Sequence, residues 1–171
     1  MIKRPPREDI PGPFLHYYDQ VESDDLLEAL GAVEEQTLEV LSPLPPEMEV
    51  HRYAPEKWSV REVVGHISDS ERVFAYRALR FSRHDSTSLP GFDENLFAPH
   101  SGASRRHLSE LLGEYRTVRA ASVSLLSHLT ESMLDFRGTA GGKEVTARAL
   151  GWIIAGHNVH HLEILRTRYL P

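Results

Sequence analysis

Apolar residues recur at three- and four-residue intervals in four stretches of the chain, and each stretch predicts an amphipathic helix. In the first, DDLLEALGAVEEQTLEVL, one side carries Leu26, Leu27, Leu30, Val33, Leu38 and Leu41; Ser23 stands in the N-cap position and the prolines of SPLPPE end the helix. The second, WSVREVVGHISDSERVFAYRALRF, opens with Ser59 and Glu62 at capping-box spacing. The third is read as capped by Ser104, with Leu108, Leu111, Leu112, Tyr115, Val118, Ser122, Leu125, Leu126 and Leu129 forming the narrow seam of a bundle helix. The fourth starts behind Thr146 and runs by its pattern to about Tyr169, with Pro171 closing the chain.

The intervening segments lack a helical period. Residues 1–22, rich in proline and aromatics, read as an extended N-terminal arm that Phe14, Tyr17 and Tyr18 pack onto the body. Residues 83–103, RHDSTSLPGFDENLFAPHSGA, read as one long loop, and loops of that length in compact domains are often functional. RGTAGGKEV, before the fourth helix, cannot be helical. Four amphipathic helices with one long connection between the second and third describe an all-α four-helix bundle. A chain of 171 residues suits one domain, 1–171.

The fourth helix is chemically unusual. AGHNVHHLEILRTRYL places three of the chain's ten histidines within five positions of an apolar segment. Advancing about 100° per residue from His157 puts Leu150 near 20°, Ile153 near −40°, Ile154 near 60°, Ile164 near −20° and Leu165 near 80°. The apolar stripe thus centres near 20°, His157 and His161 (about 40°) straddle it, and His160 (about −60°) looks away. Imidazoles one turn apart on one face can converge on a single ion. The alternative is two core histidines, each hydrogen-bonded to a neighbour, because an unmet buried imidazole costs about 1–3 kcal/mol.

A third ligand must come from another helix. His66 lies at the border of the second helix's apolar face, flanked by Glu62, Asp69, Ser70 and Arg77; the same flank can equally be a solvated face. If His66 completes a site, the ion lies at the rim of the core and open to substrate, as catalysis requires. Glu62, Asp69 and Glu71 compete as general base or as an orienter of His66, and Asp93 and Glu94 enter from above if the long loop folds over. Arg119 falls on the seam of the third helix and Arg77 on the flank of the second; each either pairs with Glu62, Asp69 or Glu71 or holds a substrate carboxylate.

Composition narrows the classes. The net charge of −6 and the lack of a polybasic block exclude direct nucleic-acid binding. Without cysteine there are no thiolate ligands, so nitrogen or oxygen must hold any metal. No apolar run reaches 18 residues and MIKRPPREDIPGPF has no apolar stretch behind its basic residues, so a cytoplasmic protein without a membrane partner is expected.

On KWSVREVVGHISDSERVFAYRALRF and IIAGHNVHHLEILRTRYL, with LPGFDENLF and VRAASVSLL between them in order, the chain resembles the DinB/YfiT-like superfamily, metal-dependent four-helix bundles. The resemblance implies a divalent metal, zinc or nickel before iron, held by His66, His157 and His161, with His160 outside the set. It further implies a hydrolase, or a transferase or isomerase using a low-molecular-weight thiol, which a chain without cysteine must take from outside. Bundles of this family often pair, so a homodimer is expected. The competing reading is a non-catalytic dimeric bundle whose histidines bind metal for stability or are plain core residues. A nucleic-acid role rests on the family name alone and has no support in the charge balance.

Overall fold

The computed structural model describes residues 1–170; Pro171 lies outside the described residues. In chain order the helices are α1 (Leu15–Tyr18), α2 (Leu26–Leu41), α3 (Pro46–Glu49), α4 (Val60–Ser82), α5 (Glu94–His100), α6 (Leu108–Leu126), α7 (Glu131–Leu134) and α8 (Ala147–Ile164). A hairpin of β1 (Arg137–Ala140) and β2 (Lys143–Thr146) precedes α8. α2, α4, α6 and α8 are the four expected bundle helices.

Two apolar clusters reveal the direction of each helix. One joins Leu26 and Leu30 early in α2, Phe74, Ala78 and Phe81 late in α4, Leu126 at the end of α6, and Leu150, Trp152 and Ile153 early in α8. The other joins Leu41 at the end of α2, Val60, Val63 and Ile67 early in α4, Leu108, Leu111 and Tyr115 early in α6, and Leu165 beyond α8. α4 and α6 therefore run parallel, and α2 and α8 run against them. Consecutive parallel helices need a connection that returns along the bundle. The 23 residues of α4 span about 34 Å at 1.5 Å per residue, which is why residues 83–107 are so long a segment.

That segment is not the featureless loop expected. Asp93 caps α5 within it, its Oδ1 accepting from Asn95 N (2.9 Å) and Leu96 N (3.3 Å). A helix of seven residues is too short to show a period, so only its cap marks it. The crossover is pinned to the hairpin where Leu89 N donates to Thr139 O (2.8 Å) and Gly141 N to Leu89 O (3.0 Å). Gly141 (φ 58°) and Gly142 (φ 75°) form the two-residue turn, a conformation that demands positive φ at both positions.

The expected N-terminal arm is not extended. It folds through short 3₁₀ turns (Arg7–Asp9 and Gly12–Phe14) into α1, and Ile2, Ile10, Tyr18 and Val21 are buried in the first cluster. Its pairing also moves the start of α2. Leu26 N donates to Ile2 O (3.0 Å), Asp25 rather than Ser23 caps the helix through Leu27 N (3.1 Å), and Ser23 Oγ turns to Glu28 (2.8 Å). α6 likewise begins behind His107 and not Ser104, because Gly102 (φ 73°) turns the chain into a 3₁₀ turn at Ala103–Arg105. Glu49 Oε2 then meets the first helical donor, Leu108 N, at 3.1 Å. α6 also stops short of Leu129, which packs on the first cluster from beyond the helix.

The expected Ser59–Glu62 capping box and the Thr146 cap are both present. Past α8 the chain widens into a π turn, Leu165–Tyr169, from which the Tyr169 hydroxyl donates to Trp58 O (2.7 Å). Among the described residues no helix is long and apolar enough to cross a membrane.

Between the two clusters lies a buried polar layer that touches all four bundle helices. Arg119 of α6, fully buried, donates to Glu71 of α4 through Nε (3.0 Å) and Nη2 (2.9 Å), to Leu30 O of α2 (2.7 Å) and to Asn158 Oδ1 of α8 (2.9 Å). Asn158 also accepts from the Tyr115 hydroxyl (2.7 Å) and donates to Thr37 Oγ1 (3.1 Å). Removing one member of a buried pair strands the other. Arg119→Ala should lower unfolding free energy by about 3–5 kcal/mol in urea titration, whereas the paired change Glu71→Leu with Arg119→Met should recover most of the loss.

Candidate metal centre

The α8 stripe turns His157 and His161 inward, and the border position of His66 on α4 brings it to the same point. His66 and His157 are buried and His161 is half-buried. One ring nitrogen from each lies within 4.8 Å of the other two, and the Nε2 atoms of His66 and His157 are 3.0 Å apart. Two imidazole nitrogens binding one ion at about 2.0–2.1 Å stand roughly 3.0–3.4 Å apart at bond angles of 90–109°. The His66–His157 pair already has that spacing, and the third nitrogen, within 4.8 Å of both, has to close on them to complete the donor set of a single divalent ion.

Protonation suits it too. Burial holds the His66 ring neutral down to a pKa of about 4, and burial with the neighbouring histidines drives His157 and His161 well below their ordinary value. Neutral imidazole is the form that ligates. Ordinary core histidines would each be tied to a carbonyl, hydroxyl or carboxylate. Among the described residues His157 contacts only His66 in this way, and His161 has no such partner.

The supports of His66 differ from those expected. Ser70 Oγ, one turn on, reaches Nδ1 at 3.5 Å, and the Trp58 ring packs at 4.7 Å between centroids. Trp58 is held in turn by the Tyr169 hydroxyl from the π turn, so the end of α8 steadies the start of α4. His160 is not part of the triad; it packs under α1 against His16 (5.3 Å) and Tyr17 (5.1 Å), with the His161 ring 5.2 Å away.

The triad opens onto a cavity of about 420 Å³. Its apolar wall comes from Phe14, Tyr17, Trp58, Phe74 and Phe92, and its polar groups outside the triad include Ser70, Arg77, Glu94, Asn95 and Lys143. A cavity of this size, mostly apolar with few polar groups, suits a small molecule.

A family model for the DinB superfamily matches residues 29–165. The chain belongs to the DinB superfamily. Among solved structures it is similar to YfiT from Bacillus subtilis, described as a probable metal-dependent hydrolase with an unusual four-helix bundle topology. The two are 18% identical, with a TM-score of 0.75 over 96% of this chain and 93% of that one, and at that identity the likeness establishes the shared fold. No curated protein matches the chain.

The DinB-superfamily match begins at residue 29, so Phe14 and Tyr17, which wall the cavity, precede it. What seats them is Gly156, beside His157: a Cβ there would lie 2.1 Å from Tyr17 O. Only glycine lets α1 approach α8 so closely, and the sequence offers no signal of this until the partner segment is known.

The other nominated residues are distributed widely. Glu62 is occupied at the capping box and with Arg52 (2.8 Å); burial pushes its carboxyl up, but Ser59 and Arg52 outweigh that and hold it below its ordinary value. Asp69 pairs with Arg72 (3.4 Å) and faces a separate cavity beneath α5, and burial raises it. Glu71 and Arg119 are consumed by each other in the core. Of the seven, Arg77 and Glu94 line the triad's cavity, while Asp93 is spent capping α5. Asp69 is thus not the orienter of His66; its helix position, three residues on, points it outward, where Ser70 points in.

The neutral histidines make the metal-free protein sensitive to acid. An unfolded histidine binds its proton near pH 6.5 and folded His66 only near 4. Between those values the unfolded state holds more protons, so stability falls as pH is lowered, by about 1.4 kcal/mol per pH unit for each histidine held neutral. Urea titration of metal-free protein between about pH 7 and 5 should show this slope, and His66→Gln should reduce it by one histidine's share.

Proposed function

We propose that the protein is a divalent-metal-dependent enzyme acting on a small molecule, with His66, His157 and His161 as the metal ligands. The observation that supports this best is three neutral histidines, with no partner beyond one another except Ser70 on His66, converging at the edge of an open cavity. A purely structural ion would be closed in by its ligands; here access is kept. An all-imidazole donor set suits zinc, nickel or iron, with zinc or nickel favoured.

A divalent ion bound there supplies Lewis acidity, lowering the pKa of a water from 15.7 to about 7 or deprotonating a thiol outright. The chain's own residues do the rest. Glu94, the one carboxylate lining the cavity among the described residues, makes no ion pair and is the chain's candidate to take up the proton of the nucleophile. Ser70 and Trp58 hold the His66 ring. Phe14, Phe74 and Phe92 exclude water and hold the body of the substrate. The two reactions this machinery serves are hydrolysis and transfer to an external thiol, the latter because the chain has no cysteine of its own.

Metal analysis of protein purified without an affinity tag tests the reading. One divalent ion per chain is expected, with loss to background in His157→Ala and in His161→Ala while circular dichroism is unchanged. Absence of metal from the wild type after incubation with zinc and nickel would overturn it. In the loaded protein, Glu94→Gln should lower kcat for 4-nitrophenyl ester hydrolysis or for thiol conjugation by about 10²–10⁴ and leave metal content intact.

A further inference from the structure

Three arginines of the described structure are buried: Arg77, Arg119 and Arg148. Two have the counter-charges that burial demands, Arg119 with Glu71 (2.9 Å) and Arg148 with Asp135 (2.7 Å) and Glu131. Arg77 has none. Only 6% exposed, it donates through Nη2 to Pro90 O (2.8 Å), and among the described residues no acceptor meets Nε or Nη1. Neither nitrogen is sealed away from solvent, and Arg77 lines the triad's cavity.

A guanidinium withdrawn from water and left without an anion is costly, and its surroundings here hold it ready for one. The Phe74 and Phe92 rings lie 5.8 and 5.7 Å from its carbon, and Pro90 O holds one N–H of Nη2. Nη2 carries a second N–H, so with one given to Pro90 O the other still forms a planar two-donor fork with Nε or with Nη1, the geometry that accepts a carboxylate. Lys143 of the hairpin lines the same cavity and adds positive charge. Glu94, the single acid there, makes no ion pair with Arg77, so the cavity's own carboxylate does not fill the place.

We propose that Arg77 is the substrate-anchoring residue of this site, and that the substrate is a small organic carboxylate whose apolar body lies against Phe14, Phe74 and Phe92. This rests on the proposed function, since the anchored molecule is the one presented to His66, His157 and His161. The carboxylate end is held at the guanidinium and the reacting group reaches the histidines. Arg77 is thus a specificity determinant, and it would act before and independently of any ion.

Binding separates the anchor from the metal. Phenylacetate and hexanoate, each beside its primary amide, and inorganic phosphate are titrated by calorimetry and ligand-observed NMR. The proteins are metal-free and zinc-loaded wild type, Arg77→Met, Arg77→Lys and His157→Ala. In metal-free wild type at least one carboxylate should bind about tenfold or more tighter than its amide, the worth of a charge-assisted pair. Arg77→Met should abolish that preference, Arg77→Lys should keep part of it, and His157→Ala should keep it whole.

Equal binding of acids and amides, or no binding of either, would overturn the inference, as would a preference that survives in Arg77→Met. A preference that appears only with zinc and ignores Arg77 places the carboxylate on the ion and also overturns it. Binding of phosphate alone would assign the fork to an inorganic anion and refute the organic carboxylate. If Arg77→Met fails to fold, a preference in Arg77→Lys equal to the wild type's refutes the anchor and a reduced one supports it. Should zinc fail to bind while the carboxylate preference holds, the metal reading falls and the anchor stands.

Discussion

The ion pair between Arg119 and Glu71 is the interaction on which the arrangement of the bundle depends. Apolar faces alone let helices slide and rotate against one another at little cost, because hydrophobic burial has no direction. A fully buried guanidinium has direction. Its donors must all be met, and the atoms that meet them come from α2, α4 and α8, so the axial positions and rotations of four helices are coupled to one residue of α6. Asn158 completes the set on α8 and is itself tied to Tyr115 and Thr37. Since His157 is its immediate neighbour, the constraint that places Asn158 inward toward α6 also sets the angle at which His157, and His161 one turn on, face α4.

The topology supplies the opening. With α4 and α6 parallel, the chain must travel back along the bundle between them, and that crossover carries Pro90, Phe92, Glu94 and Asn95 across the side on which the histidines emerge. It is held by the hairpin before α8 through Leu89 and by nothing as regular as a helix until α5. The other wall comes from α1, admitted by Gly156. A cavity assembled by irregular segments on a rigid four-helix frame separates two tasks: the frame holds the histidines, and the segments shape what reaches them.

Most of the frame could be read from the amino-acid sequence because long helices repeat their pattern many times. The four bundle helices, the capping box at Ser59, the cap at Thr146 and the inward pair on α8 all follow from periodicity and local chemistry. The starts of α2 and α6 could not, since each is decided by a distant backbone group: Ile2 O for one, the Glu49 carboxylate for the other. Wheel geometry placed His66 at a border and could not say which border residues face the cavity. Ser70, which points to His66, and Asp69, which points to Arg72, lie about 40° and −60° from His66 on the wheel, on opposite sides of it. Glu94 and Tyr17 could be named from the sequence but placed in the cavity wall only with tertiary structure, as was Trp58, for all three lie outside the bundle helices where no period speaks.

The buried polar layer has two halves of opposite character, and the contrast bears on function. On the α6 side every donor and acceptor has its counterpart: Arg119, Glu71, Asn158, Tyr115 and Thr37 close a complete network. On the α1 side His66, His157, His161 and Arg77 are buried or half-buried polar groups whose demands are met only in part. A fold able to satisfy the first half could have filled the second with leucine and gained stability, since unmet buried polar groups each cost on the order of 1–3 kcal/mol. Groups whose demands are met only in part, all lining one cavity, are the feature on which the proposed site rests. The chemistry of what is missing follows from what is offered: electron pairs on three neutral nitrogens ask for a cation, and a guanidinium without a counter-charge asks for an anion. A molecule carrying a carboxylate, drawn to Arg77 and held against a metal at the histidines, answers both at once.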